Sequence, residues 1–283
     1  MHPILLHSEQ FSFSLGAYGT LIALAVVTCF RIGPRWGLAL EGIEPRTTRR
    51  VLCTVAVATF VGAHVHYLVN EWPFVVARAR VGRFDTLLWT GIHAGGAIIG
   101  LALSLPLALR ETHISLAKFA DAIAPTVGMG IAIARLGCFL NGCCYGTPCS
   151  WPWCLAFPEP SGVWDLHQSL GLVAPGTHYS APVHPLQLYF SAVGVLIVAT
   201  AFWLYPRKRY DGQVALVCLV LFSTTSLALE NLRGAHALRA YWGTVPQLTW
   251  TALAMTVLSV GALLVGEIRH RLPALRPGGI LSA

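Results

Sequence analysis

Stretches of about 20 predominantly apolar residues recur along this chain, at roughly 11–30, 51–70, 87–108, 118–137, 186–204, 213–231 and 247–266. At 1.5 Å per residue each is long enough to cross a bilayer, and a helix is the element that satisfies its own backbone groups there. The pattern predicts an all-α polytopic membrane protein of about seven transmembrane helices. It reads as one integral membrane domain over 1–283 with an outer cysteine-rich head loop over 138–185. Only 11% of the residues are charged, against about 25% in soluble domains, which excludes a water-soluble enzyme. The first ten residues hold no Lys or Arg, so the basic start of a cleavable signal is missing and the first span is expected to be retained.

The loop charges set an orientation. Arg31, Arg35, Arg46, Arg49, Arg50, Arg110, Lys118, Arg207, Lys208, Arg209, Arg269, Arg271 and Arg276 fall on one side, thirteen of the nineteen basic residues. That side is expected to be cytoplasmic, with the N-terminus outside and the C-terminus inside. Cations scattered between apolar runs suit membrane orientation and not nucleic acid, so no nucleic-acid partner is expected. Six arginines run against the bias: Arg78, Arg80, Arg83, Arg135, Arg233 and Arg239. The first three suit an interfacial helix as well as a site.

Chemistry-bearing residues gather in short motifs at span ends. In ADAIAPTVGMGIAIARLGCFLNGCCYG, Asp121 and Arg135 are ionisable groups within a span, which are costly and often functional. Arg135 offers a planar fork for phosphate oxygens, and Gly137, Gly142 and Gly146 let backbone approach a ligand or another helix. A snorkelling Arg over a glycine-rich helix contact is an equal reading. In VHPLQLYF, His184 can exchange a proton near neutral pH, while Gln187 and Tyr189 read as interfacial residues. His93 in GIHAGGAIIG reads most simply as a helix contact. Glu230 and Arg233 in LALENLRG form an i,i+3 pair. His64 and His66 point to different faces, which is poor for a metal. Tyr18 sits near the outer end of the first span.

Cys29, Cys53 and Cys218 lie in apolar spans as small packing residues. Cys138, Cys143, Cys144, Cys149 and Cys154 fall within 17 positions. On the outer side they are expected to form one or two disulfides, with an odd thiol left over. They lack the C-x-x-C spacing of a structural zinc site, so no metal is expected.

Taken in order, these motifs resemble the prolipoprotein diacylglyceryl transferases of bacteria. DAIAP…ARLGCFLNGCCYG is similar to the family's signature segment. HPLQLY, HAGGAIIG, GAHVHYLVN, AYG and LENLR resemble further segments, and Gln247 fits the start of the last helix. The chain departs where the family has Asn (here Cys138), Glu (Cys143 and Phe190) and Arg (His64 and Ser226), and His93 is one residue out of register.

The resemblance implies transfer of a diacylglyceryl group from phosphatidylglycerol to the lipobox cysteine thiol of prolipoproteins, with glycerol phosphate leaving. It implies a multi-pass protein of the cytoplasmic (inner) membrane, membrane lipids and a lipobox peptide as partners, and no metal or organic cofactor. It makes His93 or His184 the base, with Arg135, then Arg233 or Arg239, on the leaving phosphate. Glu230 orients an Arg or binds the headgroup, and Tyr18, Asn141 and Tyr189 line its chamber. Two other classes stay open: a membrane thiol–disulfide protein, and a phospholipid-binding or transport paralogue without the chemistry.

Overall fold

The computed structural model describes residues 4–8, 13–80, 82, 94–234, 241–242 and 244–272. Its elements are, in order, β1 (Ile4–Ser8), β2 (Phe13–Gly16), α1 (Ala17–Glu41), α2 (Pro45–Asn70), α3 (Trp72–Arg80), α4 (Ala94–Leu109), α5 (Leu116–Asn141), α6 (Gly162–Ser169), α7 (Leu186–Leu204), α8 (Gln213–Glu230), β3 (Tyr241–Trp242), β4 (Val245–Pro246) and α9 (Gln247–Arg271). The strands form two short antiparallel pairs, β1 with β2 and β3 with β4. Six of the described helices are long and apolar enough to cross a membrane: α1, α2, α5, α7, α8 and α9. The expected span at 87–108 appears as α4, a shorter apolar helix of 16 residues, and the residues before it lie outside those described. Val57, Phe60, Leu103, Val195 and Leu258 are all more than half exposed. In water that surface would be costly, and in lipid it is not.

Several boundaries differ from the sequence reading: α2 begins six residues early, at Pro45, and α9 runs five residues further, to Arg271. The first helix starts later and continues far past residue 30, so Arg31 and Arg35 belong to the helix and not to the loop after it. Pro34 is accommodated inside it, and the chain turns only at Gly42, in the left-handed region at φ +67°. α5 likewise runs to Asn141, which puts Cys138 in its last turn. Residues 13–16 are strand, not helix.

The chain forms two compact units, 33–119 and the remainder. In the unit 33–119, α2 and α4 meet backbone to backbone. A β-carbon on Gly96 would lie 2.1 Å from the Gly62 carbonyl oxygen, and one on Gly100 2.4 Å from that of Ala58. Gly96 and Gly100, four apart, form the small-residue seam by which helices associate without a hydrophobic driving force. The glycines of HAGGAIIG therefore serve helix contact. His64 stacks between Phe60 and Tyr67, at 6.4 and 6.3 Å between ring centroids.

In the other unit, α5, α7 and α8 share a core of Ala124, Val193, Ile197, Ala201, Val214 and Cys218. α5 and α7 approach closely because Gly194 faces the Gly128 carbonyl, 2.6 Å from where a β-carbon would stand. Ser191 donates to the Ala132 carbonyl at 2.9 Å beside that crossing. Asp121, fully buried, accepts 2.8 Å bonds from the backbone N–H groups of Gly212 and Ala215 and faces Lys208 Nζ at 3.3 Å. A carboxylate from α5 thus caps the N-terminus of α8, where orphan N–H groups and the helix dipole favour an anion. That accounts for an ionisable group in a span without any catalytic role. α9 leans on α8 through Thr256 to Ser223 at 2.9 Å and Gln213 to Glu267 at 3.1 Å.

The connection from 142 to 185 folds on its own small core of Tyr145, Phe157, Val163 and Val183. Leu155 and Val183 exchange a pair of 3.0 Å backbone bonds. Ser161 caps α6 by accepting from the Trp164 N–H, and one disulfide joins Cys149 to Cys154.

Candidate functional site

α5 ends by a specific device. Gly142 adopts φ +65°, its N–H bonds the Phe139 carbonyl, and the Cys143 N–H bonds the Cys138 carbonyl at 3.1 Å. This is the Schellman arrangement, which needs a left-handed residue just past the helix and which glycine adopts freely. The turn brings residues 143–146 back beside the last turns of α5. There, buried Gln187 at the start of α7 donates to the Cys143 carbonyl at 2.7 Å. The Gly146 N–H bonds the His184 carbonyl at 2.9 Å and the Gly234 N–H bonds that of Tyr145 at 3.0 Å. Gly146 forms a bridge with Arg233. A β-carbon at Gly146 would stand 2.6 Å from His184 Cβ. One glycine turn therefore ties together the end of α5, the start of α7 and the end of α8.

Two cations meet there. The Arg135 guanidinium lies 4.8 Å from the Phe190 ring centroid, and that of Arg233 lies 6.0 Å from the same ring. Such cation–π contacts are worth about 0.5–2 kcal/mol and leave the charge intact. Arg233 Nε also bonds the buried Glu230 carboxylate at 3.0 Å. Arg135 has no carboxylate partner among the described residues. His184 Nδ1 lies 3.3 Å from the Tyr189 hydroxyl, and a ring nitrogen of His184 is within 4.8 Å of both bridged sulfurs. Tyr18, at the first turn of α1, backs onto Gly137, whose β-carbon would be 3.7 Å from the Tyr18 Cα. It lies within electrostatic reach of Arg135 and of Cys138, Cys143 and Cys144. Those three thiols remain free. The Asn141 side chain lies close enough to the Cys143 thiol to act on it electrostatically. The Cys144 thiol is drawn below the usual thiol range, first by hydrogen bonds with Cys138 and Cys143 and then by Arg135 and Arg233, against the opposing effect of burial. The arrangement can hold an anion between two guanidiniums beside an imidazole and a group of thiols.

A profile of the family described as prolipoprotein diacylglyceryl transferase matches residues 3–265. The chain belongs to the prolipoprotein diacylglyceryl transferase family. Among its relatives, each named phosphatidylglycerol–prolipoprotein diacylglyceryl transferase, that of Synechocystis sp. is 30% identical over 78% of this chain and 75% of its own. That of Finegoldia magna is 25% identical over 79% and 81%, and that of Leifsonia xyli subsp. xyli is 27% identical over 98% and 81%. Membership in this transferase family and the run of apolar helices make the chain a multi-pass membrane transferase.

Within this diacylglyceryl transferase fold, Tyr18, Arg135, Asn141, Gly142, Gly146, His184, Tyr189, Glu230 and Arg233 come together at one end of the helices. His93 and Arg239 lie outside the described residues. Gly142 serves as the α5 cap and packs 2.7 Å, by its β-carbon position, from Ser161 Cβ. Gly146 serves a close crossing of backbones. Sequence reasoning missed two residues. Gln187 reads as interfacial but is fully buried and anchors the turn. Phe190 reads only as a departure from the family, yet its ring is the platform both arginines share. The one available signal for Phe190 was its place six residues after His184, in the first turns of the helix that His184 precedes. Of the five cysteines between 138 and 154, one pair is bridged and three remain thiols.

Proposed function

We propose that this protein transfers the diacylglyceryl group of phosphatidylglycerol to a prolipoprotein's lipobox cysteine, with glycerol phosphate leaving. The convergence of Arg135 and Arg233 on the face of Phe190 carries the reading. Two cations, one from α5 and one from the segment just after α8, the first without a carboxylate partner among the described residues, suit a phosphodiester held at a bilayer surface.

The acceptor S–H gives its proton to a base, and His184 with Tyr189 beside it fills that role among the described residues. The resulting thiolate is the nucleophile. It attacks the glycerol carbon that bears the phosphate oxygen, so the C–S bond forms as the C–O bond breaks. The electron pair leaves with the phosphate, which gains negative charge. Arg135 and Arg233 stabilise that growth in charge, and Glu230 fixes the Arg233 fork. Tyr18 and Asn141 line the headgroup end, and no organic cofactor enters. The loop charges orient the site outward from the cytoplasmic (inner) membrane, with the N-terminus outside and the C-terminus in the cytoplasm.

The test incubates purified protein, phosphatidylglycerol and a lipobox peptide and reads the peptide mass. The expected result is a diacylglyceryl mass gain, lost when the lipobox Cys is Ser. Arg135→Ala is expected to lower the rate about 100-fold or more, the usual cost of removing one transition-state charge contact. No mass gain beside an active control enzyme overturns the reading in favour of a binding paralogue.

A further inference from the structure

We propose that Cys138, Cys143 and Cys144 bind one Zn²⁺ ion through three thiolates, leaving its fourth position open. The C-x4-C-C spacing matches no linear zinc motif, but the fold brings the three sulfurs together. The three Sγ atoms lie within 4.8 Å of one another. A Zn–S bond is about 2.3 Å, so tetrahedral ligands sit about 3.8 Å apart, within reach of small side-chain rotations. A C-x4-C-C run achieves this because the Schellman turn at Gly142 brings Cys143 back over Cys138, whose carbonyl accepts from both the Cys143 N–H and the Cys143 thiol.

The cluster is held in place. Cys144 sits in the left-handed region at φ +57°, the one non-glycine among the described residues to do so. A side chain is disfavoured in that conformation, and here it brings a third sulfur to the other two. The fully buried Gln187 pins the same turn through the Cys143 carbonyl. The remaining described cysteines are elsewhere, with Cys149 and Cys154 bridged to each other and Cys29, Cys53 and Cys218 on separate helices. Three mutually close thiols also cannot all pair as disulfides.

The donor set selects the ion. Thiolates favour soft or borderline cations and reject Mg²⁺ and Ca²⁺. Three protein ligands with one open position is the pattern of a catalytic zinc, whereas structural sites are closed by four. Arg135 and Arg233 act on Cys144, so the net negative charge of a zinc–trithiolate is offset on the spot. The role of the open position rests on the transfer reading above. An acceptor thiol that takes it binds as thiolate, releasing its proton to the base. Its sulfur then forms the bond to the glycerol carbon while the phosphate leaves with the C–O electron pair.

The protein, purified without oxygen or chelator, is assayed for metals by elemental mass spectrometry. About one zinc per chain is expected, falling at least tenfold in a Cys138→Ser/Cys144→Ser double variant and unchanged in Cys53→Ser. Because the double variant can misfold, wild type reconstituted with Co²⁺ supplies a second readout. Thiolate-to-cobalt charge-transfer bands are expected, and they shift on adding the lipobox peptide but not its Cys→Ser form. No bound metal, copper in place of zinc, or a disulfide among the three cysteines on peptide mapping overturns the site. Lipidation of the peptide by metal-free protein removes the catalytic role of the open position and leaves the transfer reading standing. Zinc with no lipidation leaves the site and removes the transfer reading.

Discussion

A β-carbon at Gly146 would stand 2.6 Å from His184 Cβ and 2.7 Å from the Leu232 carbonyl oxygen, so Gly146→Ala must push two neighbouring segments apart. Overpacking of this kind costs about 1–3 kcal/mol, and the displaced segments carry His184 and Arg233. The expected outcome is a lower Tm together with a transfer rate reduced tenfold or more, measured on the same preparation. His167 makes a different case. It is 2% exposed, its Nδ1 has no hydrogen-bond partner among the described residues, and burial holds its pKa below 6.5. The unfolded chain therefore binds the proton more readily than the folded one. Stability is complete above about pH 6.5 and declines as pH falls toward the folded-state value. Thermal melts across pH 5–8 are expected to show this decline, and His167→Asn is expected to flatten it; a variant with the wild-type slope would contradict the assignment. At this scale the sequence was informative about charge and poor about support. Arg135, Arg233, Glu230 and His184 stood out because charge and imidazole are rare near apolar spans. Phe190 and Gln187 did not, because an aromatic and an amide at a helix end look like any membrane belt.

Helix ends carry more of the architecture than helix middles. Asp121 reaches from α5 to cap α8, holding two backbone N–H groups and Lys208. Removing one partner of a buried pair costs about 3–5 kcal/mol because the other is left uncompensated. Asp121→Ala is accordingly expected to lower the detergent-phase Tm by several degrees, and Asp121→Glu to recover only part of it, since the caps sit at fixed distance. A variant as stable as wild type would mean the cap is dispensable. Spans with clear turn signals were legible: α7, expected at 186–204, is Leu186–Leu204, and α8, expected at 213–231, is Gln213–Glu230. α1 was not, because hydropathy fades at Arg31 while the backbone has no reason to stop before Gly42. α5 was extended for the same reason, up to Gly142, and that extra turn carries Cys138 into the thiol cluster. The clustering of the three thiols follows from a helix cap and could not be read from their spacing alone.

For the molecule as a whole, the asymmetry of basic residues is the handle on orientation. A fluorescent protein fused after residue 283 is expected to fold and fluoresce, while alkaline phosphatase fused near residue 175 is expected to be active. The reverse pattern would turn the site toward the cytoplasm and remove its access to exported proteins. The stacking of two guanidiniums on one ring has a kinetic consequence. An aromatic face neutralises no charge, so Arg135 keeps its full charge for an anion beside it, while Glu230 offsets part of the charge of Arg233. A phosphodiester carries one negative charge, whereas a phosphate monoester carries about −1.5 to −2 at pH 7. On the transfer reading the pair grips the departing glycerol phosphate harder than the lipid it came from. Escape of that dianion then limits turnover, added glycerol phosphate competes with fresh lipid, and moderate salt quickens the cycle before it weakens it.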